Sequence, residues 1–382
     1  MIPYSNLFFF YIIGLILLPG ICLGVMEKPL KLYGLAASLL IIGLLFSDSK
    51  LQLFLLVLFY LGELFLVKGY SLLRPKYPQR WILWLTILLA LIPLALSKWG
   101  HLFTDRLLGF LGISYLTFKV IQMLLEISDG LIKEVKLVDF TYFLLFFPTL
   151  SSGPIDRSRR FLSEVNQSIP RHEYLHRVYQ GLRKLLLGAG YKFILGNSIY
   201  TYWLSKIPTE AHGLAETVNY MYGYSFYLFF DFAGYSLMAI GISYILGVKT
   251  PENFDKPFIS KDIKDFWNRW HMTLSFWFRD YLYTRFVMAS MKKKRFKNRY
   301  TASYLGYLLT MGTMGIWHGT EIHYLLYGLY HGGLIVGTDY FQRHSALYKK
   351  YKNTPLWIGA STLVTFHLVC FGFLIFSGYL FK

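Results

Sequence analysis

Charge is scarce in this 382-residue chain. Asp, Glu, Lys and Arg make up only 16% of it, and the acidic residues number 21 against 39 lysines and arginines. A water-soluble globule of this length needs far more polar surface, so that class is excluded. Cysteine is nearly absent. Cys22 and Cys370 both sit in apolar runs, which excludes a disulfide framework and a cysteine-built metal cluster. No low-complexity tract, internal repeat or long linker divides the chain. It therefore reads as one membrane domain, with N-terminal helices over 1–135, core motifs over 136–340 and a C-terminal span within 341–382. The first residues lack the basic leader of a cleavable signal, so Leu7 to Val25 is read as a retained first span.

What the chain has in abundance is apolar and aromatic: 55% hydrophobic residues, 19% Phe, Trp and Tyr, and a mean hydropathy of +0.41. The formal net charge of +18 would suggest nucleic acid in a soluble protein. Here it is assigned to basic cytoplasmic loops facing anionic lipid, or to an acidic partner on that side, and no nucleic acid is expected. Crossing about 30 Å of hydrocarbon takes roughly 20 apolar residues. Candidate spans are Leu7–Val25, Leu32–Phe46, Leu51–Val67, Trp81–Leu96, Leu107–Ile127 and Val138–Leu150. They continue with Leu185–Leu204, Val218–Leu246, Tyr304–Ile316, Tyr324–Tyr340 and Leu356–Tyr379. The expectation is an all-α polytopic membrane protein of about 11 crossings, short runs such as Val138–Leu150 being open to a re-entrant reading. Phe266–Met288 is too polar to face lipid and is expected as interfacial or re-entrant helices buried in protein. Lys28–Lys31, Lys68–Arg80, Arg157–Lys184 and Lys292–Arg299 are basic and are expected inside, which places the N-terminus outside; Ser205–Thr217 is expected outside.

Ionisable groups at membrane depth cost about 2.5–3.5 kcal/mol each on insertion, so they line cavities or pair with one another. Lys119, Gln122 and Glu126 in FKVIQMLLE fall on one helix face, either as a packing seam or as the wall of a hydrated passage. Asp231 stands among aromatics in YLFFDFAGYSLMAIG and needs a donor, an arginine of the next motif being the candidate. That motif, KDFWNRWHMTLSFWFRDYLY (264–283), holds Asp265 four residues before Arg269, a spacing that satisfies both charges locally. Helical spacing would put Trp267, Trp270 and His271 on one face. A second Trp-His pair, Trp317–His318, lies in GIWHGTEIHY.

A metal is not expected at these histidines. His318 and His323 are five apart and splay by about 140° on a helix. His172 and His176 are four apart, but are expected in the basic cytoplasmic loop, as solvated residues. No G-x-S-x-G elbow supports a serine triad. An imidazole acting as general base, with the nucleophile a substrate hydroxyl, remains.

The stretch PENFDKPFISKDIKDFWNRWHMTLSFWFRDYLY together with MGIWHG, LSSGPIDR and DFAGYSLMAIG resembles the membrane-bound O-acyltransferase family, most strongly from about Phe146 to Gly333. Within it, the modest length and RFVMASMKKKR look most like the branch that transfers D-alanine for lipoteichoic and teichoic acid modification in Gram-positive cell walls. The alginate-type polysaccharide O-acetyltransferase branch is the nearest alternative; a transporter or flippase is the non-enzymatic one. The resemblance implies that His318 is the catalytic base and His271 its supporting histidine. Trp317, Trp267, Asn268, Arg269, Arg279 and Asp280, with Asp231, would shape the site. It further implies a tunnel through the domain, and an acyl donor held as a thioester on the phosphopantetheine arm of a cytosolic D-alanyl carrier protein, with no cofactor bound to this chain. Further membrane proteins of the D-alanylation system, lipoteichoic acid as final acceptor and a multi-pass place in the plasma membrane are also implied. Val287, Met288 and Met291 beside Lys292, Lys293 and Lys294 offer an apolar anchor with a basic rim for an acidic carrier, or else a plain positive-inside anchor.

Overall fold

The computed structural model describes residues 3–5, 7–100, 108–208 and 213–381, and all regular structure among them is helical. The principal helices are α1 (Leu7–Val25), α2 (Lys31–Leu45), α3 (Lys50–Leu73), α4 (Arg80–Trp99), α5 (Ile113–Ser128), α6 (Leu137–Leu144), α7 (Ser158–Asn166) and α8 (Arg171–Ala189). They continue with α9 (Asn197–Tyr202), α10 (Leu214–Ile245), α11 (Ile263–Trp267), α12 (Met272–Phe278), α13 (Thr284–Lys292), α14 (Arg299–His318), α15 (Ile322–His344), α16 (Ala346–Tyr351) and α17 (Pro355–Phe376). Among the described residues five helices, α1, α3, α4, α10 and α17, are both long and apolar enough to cross a membrane, and α2 is a shorter apolar helix. The protein is thus an all-α, polytopic membrane protein.

The other candidate spans resolve differently. Val138–Leu150 is the eight-residue α6 followed by a 3-10 turn at Phe147–Thr149. At 1.5 Å per residue α6 reaches only about 12 Å, so this run enters the core without crossing. Leu185–Leu204 comprises the end of α8, a π-helical segment at Gly190–Gly196, and α9. The helices α14 and α15 have 20 and 23 residues but are less apolar than the five. Residue 107, the start of the fifth candidate span, and 209–212 of the expected outer loop lie outside the described residues.

Two compact units are present: residues up to Ala189 with Tyr235–Pro251, and Gly190–Gly234 with Glu252–Lys382. In the first, α5 carries the polar seam. Lys119, Gln122 and Glu126 are all buried. The Lys119 ammonium donates to the carbonyls of Phe143 (3.1 Å) and Leu144 (3.3 Å) and to Thr149 Oγ1 (3.2 Å). Those carbonyls are at the C-terminal end of α6, where a helix leaves acceptors unmet. The lysine replaces the turn that the chain does not make. Gln122 donates to the carbonyl of Asp156 at 2.8 Å, and Glu126 accepts from Ser158 at 3.2 Å and Arg159 at 3.4 Å. The packing-seam reading accounts for all three. Arg177 of α8 is likewise buried, bound to Glu164, Glu173 and the carbonyl of Gly247.

In the second unit α14 and α15 pack as a hairpin. Their contact demands glycine: a Cβ on Gly328 would lie 2.2 Å from the carbonyl oxygen of Met311. Small residues at such contacts let helix backbones approach closely within a membrane.

Lys119→Met keeps the side chain's length but leaves buried acceptors unmet, at a cost of about 1–3 kcal/mol. We expect a lower unfolding midpoint in detergent than for the exposed Lys133→Met; equal midpoints would refute the capping role.

Candidate functional site

The opening motif is not one helix. Asp262 N-caps α11 by accepting the Asp265 N–H at 2.8 Å, and α11 ends after five residues at Trp267. The backbone then turns through His271, whose φ of 42° is left-handed, and α12 starts at Met272. Non-glycine residues seldom adopt this conformation, and where they do the surroundings enforce it. Asn253 does so here. Its carbonyl accepts the Met272 N–H at 2.9 Å, and its side-chain oxygen accepts from Thr273 Oγ1 at 2.7 Å and Thr273 N–H at 3.3 Å. The shared helical face expected for Trp267, Trp270 and His271 is therefore corrected: the helix stops before reaching His271. Trp270 turns instead to Phe254 and Phe373, with centroids 5.0 and 4.7 Å away.

His271 is 3% exposed, its ring edge-on to Phe232 at 4.8 Å. It lies between helices, outside the membrane-crossing segments. Burial first, and the His318 imidazole second, push its basicity down to about 3, so it is neutral in the physiological range. His318 ends α14 and is half-buried. Its ring is framed by Trp317 (4.8 Å), Phe376 (5.0 Å), Tyr327 (6.0 Å) and Tyr324 (6.4 Å). Gly319 makes this frame possible, since a Cβ there would fall 2.2 Å from the Tyr324 ring. The two sequence-selected histidines thus interact electrostatically, each in its own aromatic surround, one sealed and neutral, the other half-buried.

A third imidazole, outside both Trp-His motifs, joins them in the fold. His331 of α15 is fully buried, packed edge-on against Tyr327 (4.7 Å) and Trp267 (5.2 Å). Neither of its ring nitrogens has a hydrogen-bond partner among the described residues. Tyr327 touches both His331 and His318, so Trp267 connects to His318 through these rings. The signal was an ionisable residue within an apolar run, YGLYHGGLIVG.

The remaining residues are placed as follows. Asp231 is ion-paired with Lys192 of the π-helical segment Gly190–Gly196, not with an arginine, and is part-exposed, not buried. Arg269 binds Asp265 at 2.8 Å and Asp255 at 3.4 Å. Asn268 caps α11 with its backbone and is exposed. Arg279 pairs with Asp280 at 3.1 Å in a π-helical turn and lies over the Phe276 ring; both charged residues are exposed. On α13, Met288 and Met291 are exposed, as are Lys292, Lys293 and Lys294, while Val287 is half-buried against Gly306. His172 and His176 stand on α8, not in a loop, and with Glu173 complete the H-E-x-x-H spacing of helical zinc sites. Glu173 is engaged by Arg177, and His176 contacts Gln180 at 2.8 Å. Among the described residues no three His, Cys, Asp or Glu side chains group to hold a metal.

The buried state of His271 sets a pH dependence. Its basicity is depressed in the fold, so unfolding takes up a proton below about pH 6.5, and stability falls as pH drops below that value. Imidazole nitrogen NMR, assigned by comparison with His271→Asn, should show His271 neutral from about pH 8 to 5. A midpoint near that of a free imidazole would contradict the burial argument.

Comparison with known proteins now adds to this geometry. The sequence pattern described as MBOAT, membrane-bound O-acyltransferase family, matches residues 77–378. The chain is 46% identical over 388 residues to a teichoic acid D-alanyltransferase of Bacillus subtilis, covering 99% of this chain and 98% of that one. It is 41% identical to the Streptococcus thermophilus protein of the same description, covering 99% and 95%. A probable alginate O-acetylase of Pseudomonas fluorescens is 31% identical over 69% of this chain and 52% of its own length. This protein, with its helical membrane architecture and its match to that pattern over most of its length, belongs to the membrane-bound O-acyltransferase family.

Proposed function

We propose that the protein transfers D-alanine, carried as a thioester on the phosphopantetheine arm of a cytosolic carrier protein, to a hydroxyl acceptor towards the outer face of the plasma membrane, for D-alanylation of lipoteichoic or teichoic acid. The observation that carries this reading is the half-buried His318 acting electrostatically on the sealed, neutral His271, in a chain aligned end to end with proteins described as teichoic acid D-alanyltransferases. The alginate-type relatives align over a smaller share and at lower identity, so acetyl transfer is the less supported reading.

The chemistry is an exchange of esters. The acceptor oxygen attacks the thioester carbon, His318 takes the hydroxyl proton, the carbon–sulfur bond breaks, and the proton passes to the departing thiolate. A general base supplies about 10²–10⁴-fold to such a step. Being neutral, His271 can donate or accept a hydrogen bond without placing a fixed charge in the site. The aromatic frame of Trp317, Tyr324, Tyr327 and Phe376 keeps the surroundings poor in water, which would otherwise hydrolyse the donor. Asn253 holds the α11–α12 turn that carries His271, the Arg269–Asp265 pair braces the end of α11, and Trp267 supports Tyr327 from behind.

For docking of the acidic carrier we favour α13, whose exposed Met288 and Met291 adjoin Lys292, Lys293 and Lys294. Val287 is half-buried, so Met288 is the cleaner probe.

The test is reconstitution with D-alanyl-loaded carrier protein. His318→Ala should insert normally and slow thioester loss by about 10²–10⁴-fold, with a smaller defect for His271→Ala. Retention of most activity by His318→Ala would remove the base assignment. Met288→Asp should abolish carrier capture while leaving the protein monodisperse; undiminished capture would move the docking surface elsewhere.

A further inference from the structure

Away from the histidines, the second unit carries an open groove of about 700 Å³ between α15 and α17, with Tyr348 of α16 at one end. Its floor is built from residues with little side chain: Gly333 and Gly337, one turn apart on α15, facing Ala360 and Ser361 on α17. These glycines differ from Gly328. A Cβ at Gly333 or Gly337 would meet nothing within 4 Å, so no neighbouring helix demands their smallness. They leave space. Leu334, Val364 and Leu368 add apolar walls.

The polar end has a definite sign. Lys261 and Lys352 line it, with Asn353 between α16 and α17, and all three are exposed. The single carboxylate there, Asp262, is already committed: it accepts from the Asp265 N–H at 2.8 Å and from Gln342 Nε2 at 2.9 Å. Phe341 and Trp357 stack at 6.3 Å beside the same end, and Tyr348 meets both at 6.0 and 6.1 Å. Tyrosine and tryptophan collect at the level of lipid head groups, and α17 is one of the helices suited to crossing the bilayer. Basic mouth and aromatic girdle at one end, with an apolar trough beyond, match the head group and acyl chain of a phospholipid.

We infer that this groove holds one anionic glycerophospholipid of the bilayer, its phosphate between Lys261 and Lys352 and an acyl chain lying along Gly333 and Gly337. A partner's helix, about 10 Å across, would exhaust the volume within roughly two turns and has no use for two lysines. A zwitterionic lipid would bring its own cation to a mouth whose only acid is occupied. One consequence of the site rests on the proposed reaction. Lys261 and Asp262 lead directly into α11, so a bound phosphate steadies the segment that delivers His271, and turnover should rise with anionic lipid.

The experiment uses the full chain, delipidated in detergent and titrated with phosphatidylglycerol or phosphatidylcholine under native mass spectrometry. One phosphatidylglycerol should be retained where phosphatidylcholine is not. The double variant Lys261→Glu, Lys352→Glu should weaken retention by about tenfold, while Lys349→Glu, on α16 just before Lys352 but outside the groove lining, should not. Gly337→Leu, which fills the trough without touching a charge, should weaken it as well. Equal retention of the two lipids, or full retention by both the double variant and Gly337→Leu, would overturn the inference, as would a polypeptide cross-linking at Ser361 in place of lipid. Binding is read without turnover, so its failure is distinct from failure of the acyl-transfer reading.

Discussion

At three helix ends among the described residues, at α6, α11 and α12, another part of the chain takes over hydrogen bonds that the helix gives up. Lipid offers no partner to a free carbonyl or amide, so a break is tolerated only when protein supplies one. Lys119 meets the carbonyls that end α6. Asp262 meets the amides that begin α11, and Asn253 does the same for α12. The membrane protein thereby acquires short, sharply directed segments in places where an unbroken span would present only one face after another.

The histidine site follows from that freedom. Because α11 stops at Trp267 and the chain turns left-handed at His271, the imidazole is sealed against Phe232, not swept round a helix surface. Because α14 ends at His318 with glycine next, Tyr324 can close over the second imidazole. The outcome is two chemically identical side chains with different environments. Burial holds one neutral, while the other is only half-buried.

The parts legible in the sequence were those set by local periodicity. The seam of Lys119, Gln122 and Glu126 shares one face because α5 is a regular helix, and Asp265 reaches Arg269 because four residues make one turn. The errors arose where that regularity fails. A helical face drawn through Trp267, Trp270 and His271 assumes a helix that Asn253, eighteen residues upstream of His271, prevents. The sequence offers Asp231 an arginine of the 264–283 motif as partner, whereas Lys192, 39 residues away in sequence, reaches it from a π-helical segment. His331 was overlooked because nothing next to it resembles a motif; its burial between Trp267 and Tyr327 exists only in the folded chain.

Composition and order of residues alone were enough to make this an all-helical membrane protein with its histidines in two recognisable motifs, since the cost of exposing charge to lipid acts on each segment separately. Which helices cross, where they break, and which imidazole is shut away depend on contacts between distant segments. Backbone groups freed at a break must find partners elsewhere in the chain, and only the tertiary structure decides where those partners are.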